Sequence, residues 1–367
     1  MKNVFDITEY GAVADGKTDC TAAIQRAIDE AGAVQGKVFV PAGKYRCGQL
    51  EMKPFVTIEG CATWTYRTNG GSILALNDEN AKCLMDITHA YGCVIKSLCL
   101  SGENLGKQIH GVATLRTDTE KLVQEDTTLI EHCRISNFSG DGAHMQRIWC
   151  FSVRHSQLCF NGGHGLYICG WDAFIIDNWF SSNKGAGVCA DKEISAVIFT
   201  GNRVEWNRTA GFKLINAIGV TINGNAFDAS GGPGVDMRNP KGTRAINVTI
   251  TGNQFNRSGM PLVRKEYSGE SCHLHVERAM NTVIQSNVFY QGIDDNGDRS
   301  LVCPKIGIII KKLKDCIIKD NQLMYCATEK VYVDEGEHVG ENVIEIKGSI
   351  KETIGEFIYP FFEEGKE

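Results

Sequence analysis

The sequence predicts an all-β chain: a right-handed, single-stranded parallel β-helix with a short N-terminal capping helix. Three observations carry this. A short apolar motif built around an amide recurs at near-constant steps. A Gly-led strand follows most copies of it. Helical periodicity is confined to the first 35 residues.

The opening segment, Tyr10 to Thr21, is turn-rich. Thr21 to Ala31 then reads as a helix, with Thr18 or Asp19 as N-cap and Ala23, Ile24, Ala27 and Ile28 on one face. Val38 to Tyr45 follows as strand and turn. A solenoid needs its open end covered. Residues 1–35 are therefore assigned to a cap within the same domain, 36–350 to the β-helix and 351–367 to a C-terminal tail. That tail carries Phe357, Phe361 and Phe362 and is expected to close the far end or to meet a partner.

The repeat reads Phe199-Thr200-Gly201-Asn202-Arg203-Val204, Ile222-Asn223-Gly224-Asn225-Ala226-Phe227 and Ile250-Thr251-Gly252-Asn253-Gln254-Phe255. Its anchors are Leu98, Cys133, Ser156, Asn178, Asn202, Asn225, Asn253, Asn287 and Asn321. The steps from Cys133 to Asn225 are 22 to 24 residues. That is too short for a strand–helix–strand crossover, and it fits one solenoid coil. Longer steps are the same coil plus loop insertions. An amide suits this position because stacked Asn side chains bond to each other and to neighbouring backbone.

About eight residues after an anchor comes a corner residue and then a glycine: Asp141-Gly142-Ala143, His164-Gly165-Leu166, Ala186-Gly187-Val188, Ala210-Gly211-Phe212 and Pro233-Gly234-Val235, with His110-Gly111-Val112 further up. The strand after it alternates in and out. Ala143, Met145, Leu166, Ile168, Phe212, Leu214, Val235 and Met237 are expected inside.

Formal net charge is -6, which argues against nucleic acid, since phosphate binding needs a basic surface. No run of about 18 apolar residues exists, so no membrane partner is expected. The start shows no signal-peptide pattern, and the 15 Cys fall mostly in strand-like runs. They read as small buried hydrophobes in a reducing compartment, so a cytoplasmic location is expected.

Phe5 to about Gly60 resembles the opening of the pectate-lyase-like β-helix superfamily, in Tyr10-Gly11-Ala12, Asp15-Gly16-Lys17-Thr18-Asp19, Thr21-Ala22-Ala23-Ile24 and Val40-Pro41-Ala42-Gly43-Lys44-Tyr45. The resemblance implies a pectin-lyase-like fold and a carbohydrate ligand, not a particular reaction. Gly163-His164-Gly165 is similar to the Gly-His-Gly segment of polygalacturonases. Gly140-Asp141-Gly142 lies where those enzymes carry an aspartate pair, and Thr117-Asp118 where they carry Asn-Thr-Asp. The departures are a single aspartate at 141, Arg at 116 and no Arg-x-Lys at the matching place.

Coils stack about 4.8 Å apart, so residues in one column are close neighbours. The corner column reads His110, Asp141, His164. The outward column reads Ala113, His144, Tyr167, Cys189, Lys213, Asp236, and two residues on come Leu115, Gln146, Cys169, Asp191, Ile215, Arg238. Acids, bases and donors at fixed spacing are what a sugar groove needs. The candidate catalytic residues are Asp141, His164, Asp191, Asp236 and Lys213. The candidate substrate-binding residues are His144, Tyr167, Trp171, Arg238 and His273, with Trp171 taken as a stacking platform in a loop.

The leading expectation is a glycoside hydrolase acting on an oligosaccharide or polysaccharide. Asp141 would supply one carboxyl, and Asp118, Asp191 or Asp236 the other. A polysaccharide lyase using Lys213 and Arg238 to neutralise a uronate, and a non-catalytic tailspike-like β-helix, are the alternatives. No cofactor is expected, apart from Ca²⁺ in the lyase case, and no metal ligands are assigned. His273, His275 and Glu277 are the one alternating set that could hold a metal. A homo-oligomer is compatible with the pattern.

Overall fold

A computed structural model describes residues 3–61, 64–261, 263, 267–291 and 303–350. The residues assigned to the C-terminal tail lie outside these. The described chain is a right-handed β-helix in which every strand pairing between coils is parallel, in one sheet of 23 strands, one of 11 and a terminal pair.

The helix at the start runs Thr21–Val34 and buries Ala23, Ile24, Ala27, Ile28 and Ala31. The N-cap position falls on Cys20, which makes no side-chain cap bond. Asp19 instead accepts from Thr21 N (3.0 Å) one residue earlier. The segment is not separate from the stack, because Val4–Asp6 pairs with Lys37–Phe39 as an early rung.

The amide ladder holds the coils in register. Asn202 N donates to Asn225 Oδ1 (2.8 Å), Asn225 N to Asn253 Oδ1 (2.9 Å) and Asn253 N to Asn287 Oδ1 (3.0 Å). Each Nδ2 also reaches the next Oδ1, as from Asn225 to Asn253 at 2.9 Å. These side chains are buried, and the ladder satisfies polar groups that would otherwise be orphaned in the core. At the anchor Cys133, the thiol bonds to Ile95 O in place of an amide. Beside the ladder, Phe227, Phe255 and Phe289 stack with ring centroids 5.0 and 4.5 Å apart.

A second ladder accompanies the first: Asn161, Asn183 and Asn207 repeat the same bonds five residues after the anchors. Thirteen of the fifteen Cys are buried, and Cys61 and Cys150 are half-buried.

Candidate active site

The first outward column forms as the alternation requires; in the second, Gln146 pairs with Cys169, while Leu115, Asp191 and Ile215 fall just past their strands. Ala113 pairs with His144, His144 with Tyr167, Tyr167 with Cys189, Cys189 with Lys213, Lys213 with Asp236 and Asp236 with His275. Ala143, Met145, Leu166 and Ile168 point inward and are fully buried.

Asp141 sits at the centre. Its Oδ2 lies 2.7 Å from His144 Nδ1 and 3.4 Å from His110 Nδ1. Its Oδ1 accepts from His164 N at 2.7 Å. Its own N–H donates to His110 Nδ1 at 3.0 Å. Burial alone would raise this carboxyl. The His110 and His144 rings within hydrogen-bonding range, and His164 nearby, outweigh burial and hold it well below the usual carboxylate range. Asp141 is thus an ionised, enclosed carboxylate, only 6% exposed.

The corner glycines make this approach possible. A Cβ on Gly163 would lie 2.3 Å from Asp141 Oδ1, and one on Gly185 would lie 2.4 Å from His164 Nδ1.

The rings form a short stack. His110 and His144 have centroids 4.2 Å apart, and His144 and Tyr167 lie 4.5 Å apart and nearly parallel. With Nδ1 engaged by Asp141, His144 turns its Nε2 away from the carboxylate, and the side chain is 25% exposed. Burial, then the Asp191 charge and hydrogen bond, push the Tyr167 hydroxyl up, so it stays protonated. Lys213 Nζ lies 3.6 Å from Asp191. Burial lowers His164, whose Nδ1 accepts Ala186 N–H at 2.9 Å.

Four sequence expectations are corrected. His273 is fully buried in the corner and bonds through Nε2 to Cys326 O (2.9 Å), so it does not meet substrate. Strand alternation placed it beside His275 and Glu277, but it belongs to the corner column, where its carbonyl accepts from Gly234 N. Asp236 is 2% exposed, and its oxygens are occupied by Arg238 (2.9 Å) and Tyr267 (3.0 Å). It therefore holds the wall of a cavity of about 360 Å³ that includes Lys213, Arg238 and Glu277. Trp171 lies within the strand Leu166–Ile176, not in a loop. Finally, the His273–His275–Glu277 metal alternative fails, because His273 is turned into the core.

Alternation could not reveal what the loop 115–127 brings. Arg116 clamps its base through Asp126 (2.6 and 2.8 Å). Asp118 then reaches across coils to Lys192 (2.7 Å) and bonds to Gln146. The Lys192 hydrogen bond lowers the Asp118 carboxyl.

Among the described residues, the donors that converge within 4.8 Å are His110, Asp141 and His144. Two imidazoles and one carboxylate suit a transition metal better than Ca²⁺, which takes six or more oxygens.

The right-handed parallel β-helix places the chain in the pectate-lyase-like class. The chain belongs to the rhamnogalacturonase A/epimerase, pectate lyase-like family, whose model matches residues 4–236; a right-handed β-helix region model matches 190–352. It is 28% identical over 261 residues to mannuronan C5-epimerase AlgE5 of Azotobacter vinelandii, across 64% of this chain and 25% of that protein. It is 29% identical over 202 residues to alginate lyase 7 of the same organism, across 49% of this chain and 22% of that protein. The chain thus spans a quarter or less of the curated relatives it matches. The A-module of mannuronan C-5 epimerase AlgE4 from Azotobacter vinelandii superposes with a TM-score of 0.58 at 17% identity, over 95% of this chain and all of that one; at that identity the likeness concerns the fold.

Proposed function

We propose that the chain is a carbohydrate-active enzyme that removes the C5 proton of a uronate residue in an oligosaccharide or polysaccharide. The observation that carries this is the His144–Tyr167 pair oriented by an ionised Asp141. Glycoside hydrolysis needs one carboxyl protonated as general acid. Asp141, the first choice for one of the two hydrolytic roles, is held ionised, which excludes the acid role, and its oxygens are enclosed by His110, His144 and His164, which keeps them from a water or a sugar carbon. It is instead suited to position an imidazole.

The roles follow from the atoms. Asp141 accepts a hydrogen bond from the Nδ1–H of His144, which leaves the Nε2 lone pair as base. That nitrogen takes the C5 proton, and the electron pair of the C–H bond moves into the adjacent carboxylate. Lys213, near Asp191, offers the positive charge that a uronate carboxylate requires. The protonated Tyr167 hydroxyl, on the same side as His144, then gives its proton to the C4 oxygen as the C4–O bond breaks, whereas a solvent proton returned to C5 from the open face inverts the centre. Alginate lyase 7 and the epimerase AlgE5, both similar to this chain, are named for these two outcomes.

The test is incubation with polymannuronate, polyguluronate and polygalacturonate. A short-wavelength ultraviolet chromophore from a conjugated double bond, or a changed uronate composition, supports the reading. New saturated reducing ends with neither change would overturn it in favour of hydrolysis.

A further inference from the structure

We infer that Trp171, Trp149, Arg147 and Lys121 form a subsite for an anionic sugar ring of the same substrate chain, apart from the reacting residue; this rests on the uronate reading above. The pairing of Ala143–Arg154 with Leu166–Ile176 slips between Gln146 and Ile148, so Arg147 is an extra residue without a rung. Such bulges re-aim side chains and cluster near active sites. Here the bulge, with Arg147 at a positive φ of 51°, carries the guanidinium over the Trp171 ring, 5.2 Å from its centroid. Arg147 Nε also donates to Glu120 O (2.9 Å), which ties loop 115–127 to the spot and brings in Lys121.

The next rungs shape the platform. Trp149 pairs with Trp171, and Trp171 with Ser195. The step from indole to a small hydroxyl leaves a notch of about 530 Å³ lined by these residues. Trp149 Nε1 donates to Asp172 Oδ2 (2.8 Å), which fixes the ring orientation. An aromatic face flanked by two cations fits a pyranose bearing a carboxylate: the ring takes its C–H face and the cations its charge. Trp171 lies four residues past Tyr167 along one continuous strand, a separation of about 13 Å. A short substrate seated at His144 therefore does not reach it.

The experiment compares wild type with Trp171→Ala on oligogalacturonates and oligomannuronates of two to eight residues. Trp171→Ala is expected to raise KM about tenfold for the longest oligomers, with kcat unchanged and the shortest oligomers unaffected. Ser195→Tyr, which fills the notch and removes no ring, is expected to do the same. A KM equal to that of wild type in both variants at every oligomer length overturns the subsite. Binding is followed separately by tryptophan fluorescence with the octamers and with a neutral cello-oligosaccharide. If no product forms from any uronate, yet octamer binding still depends on Trp171, the reaction assignment fails and the subsite stands. If the neutral oligomer binds as well as the octamers, the anionic assignment is overturned.

Discussion

Replacing Asp141 by Asn tests the site at the atom on which it turns. Asn keeps the shape, and its carbonyl oxygen can still accept from His164 N, so the corner is expected to fold. The change falls at the other oxygen, 2.7 Å from His144 Nδ1. An amide placed there presents an N–H, which forces His144 Nδ1 to accept and moves the ring proton to Nε2. The nitrogen facing substrate then has no lone pair. Loss of a positioned general base costs roughly 10²–10⁴ in rate, and a wrong imidazole tautomer in the Ser-His-Asp triad costs about 10⁴. A fall of about 10³ in kcat/KM, or about 4 kcal/mol of transition-state stabilisation, is therefore expected. The assay is product formation on the active uronate polymer, with the His144 tautomer read by long-range ¹H–¹⁵N NMR. Activity within about threefold of wild type, with the tautomer shifted as expected, would refute the role given to Asp141.

Other consequences are equally specific. Tyr167→Phe keeps the ring against His144 but removes the proton donor, so kcat should fall about 10²-fold or more with KM little changed; an unchanged kcat would remove Tyr167 from the chemistry. Asn225→Ala deletes bonds to Phe199 O (3.0 Å) and Asn253 Oδ1 (2.9 Å) and orphans Asn202 N, so urea unfolding should show a loss of about 3 kcal/mol. His273 is fully buried and its pKa is lowered to about 4 by that burial. Its neutral form adds stability above the unfolded value of about 6.5, and this is lost as pH falls toward 4. The urea midpoint should drop across that window by up to about 3 kcal/mol equivalent, and less in His273→Phe. A thiol reagent should modify Cys61 and Cys150 in the native protein well before the buried thiols, among which burial pushes Cys93 and Cys133 up to about 12.

What the sequence made legible was whatever depends on register. Once the anchors fixed the coil length, every pairing from Ala113 to Asp236 followed, because a one-residue slip would turn Tyr167 inward and Leu166 outward. The same rule failed at His273, the second residue of a strand that begins at a corner, whose side chain turns under the coil toward Cys326. It could not find Arg147, since a bulge breaks the alternation on which the rule rests. Nor could it place Asp118, which arrives on a loop and is fixed by Lys192 from another coil. Asp141 was found as a site residue, but its charge state depends on three histidines converging in space. The second amide ladder did leave a signal, in Asn161, Asn183 and Asn207 at steps of 22 and 24, hidden behind the stronger one.

The most direct test of C5 proton removal is turnover in D₂O. Deuterium at C5 of recovered sugar, or a solvent-derived proton balance matching unsaturated product, is the expected result for wild type, with incorporation lost in His144→Ala. Chain cleavage by wild type to saturated ends carrying no deuterium at C5 would contradict the account.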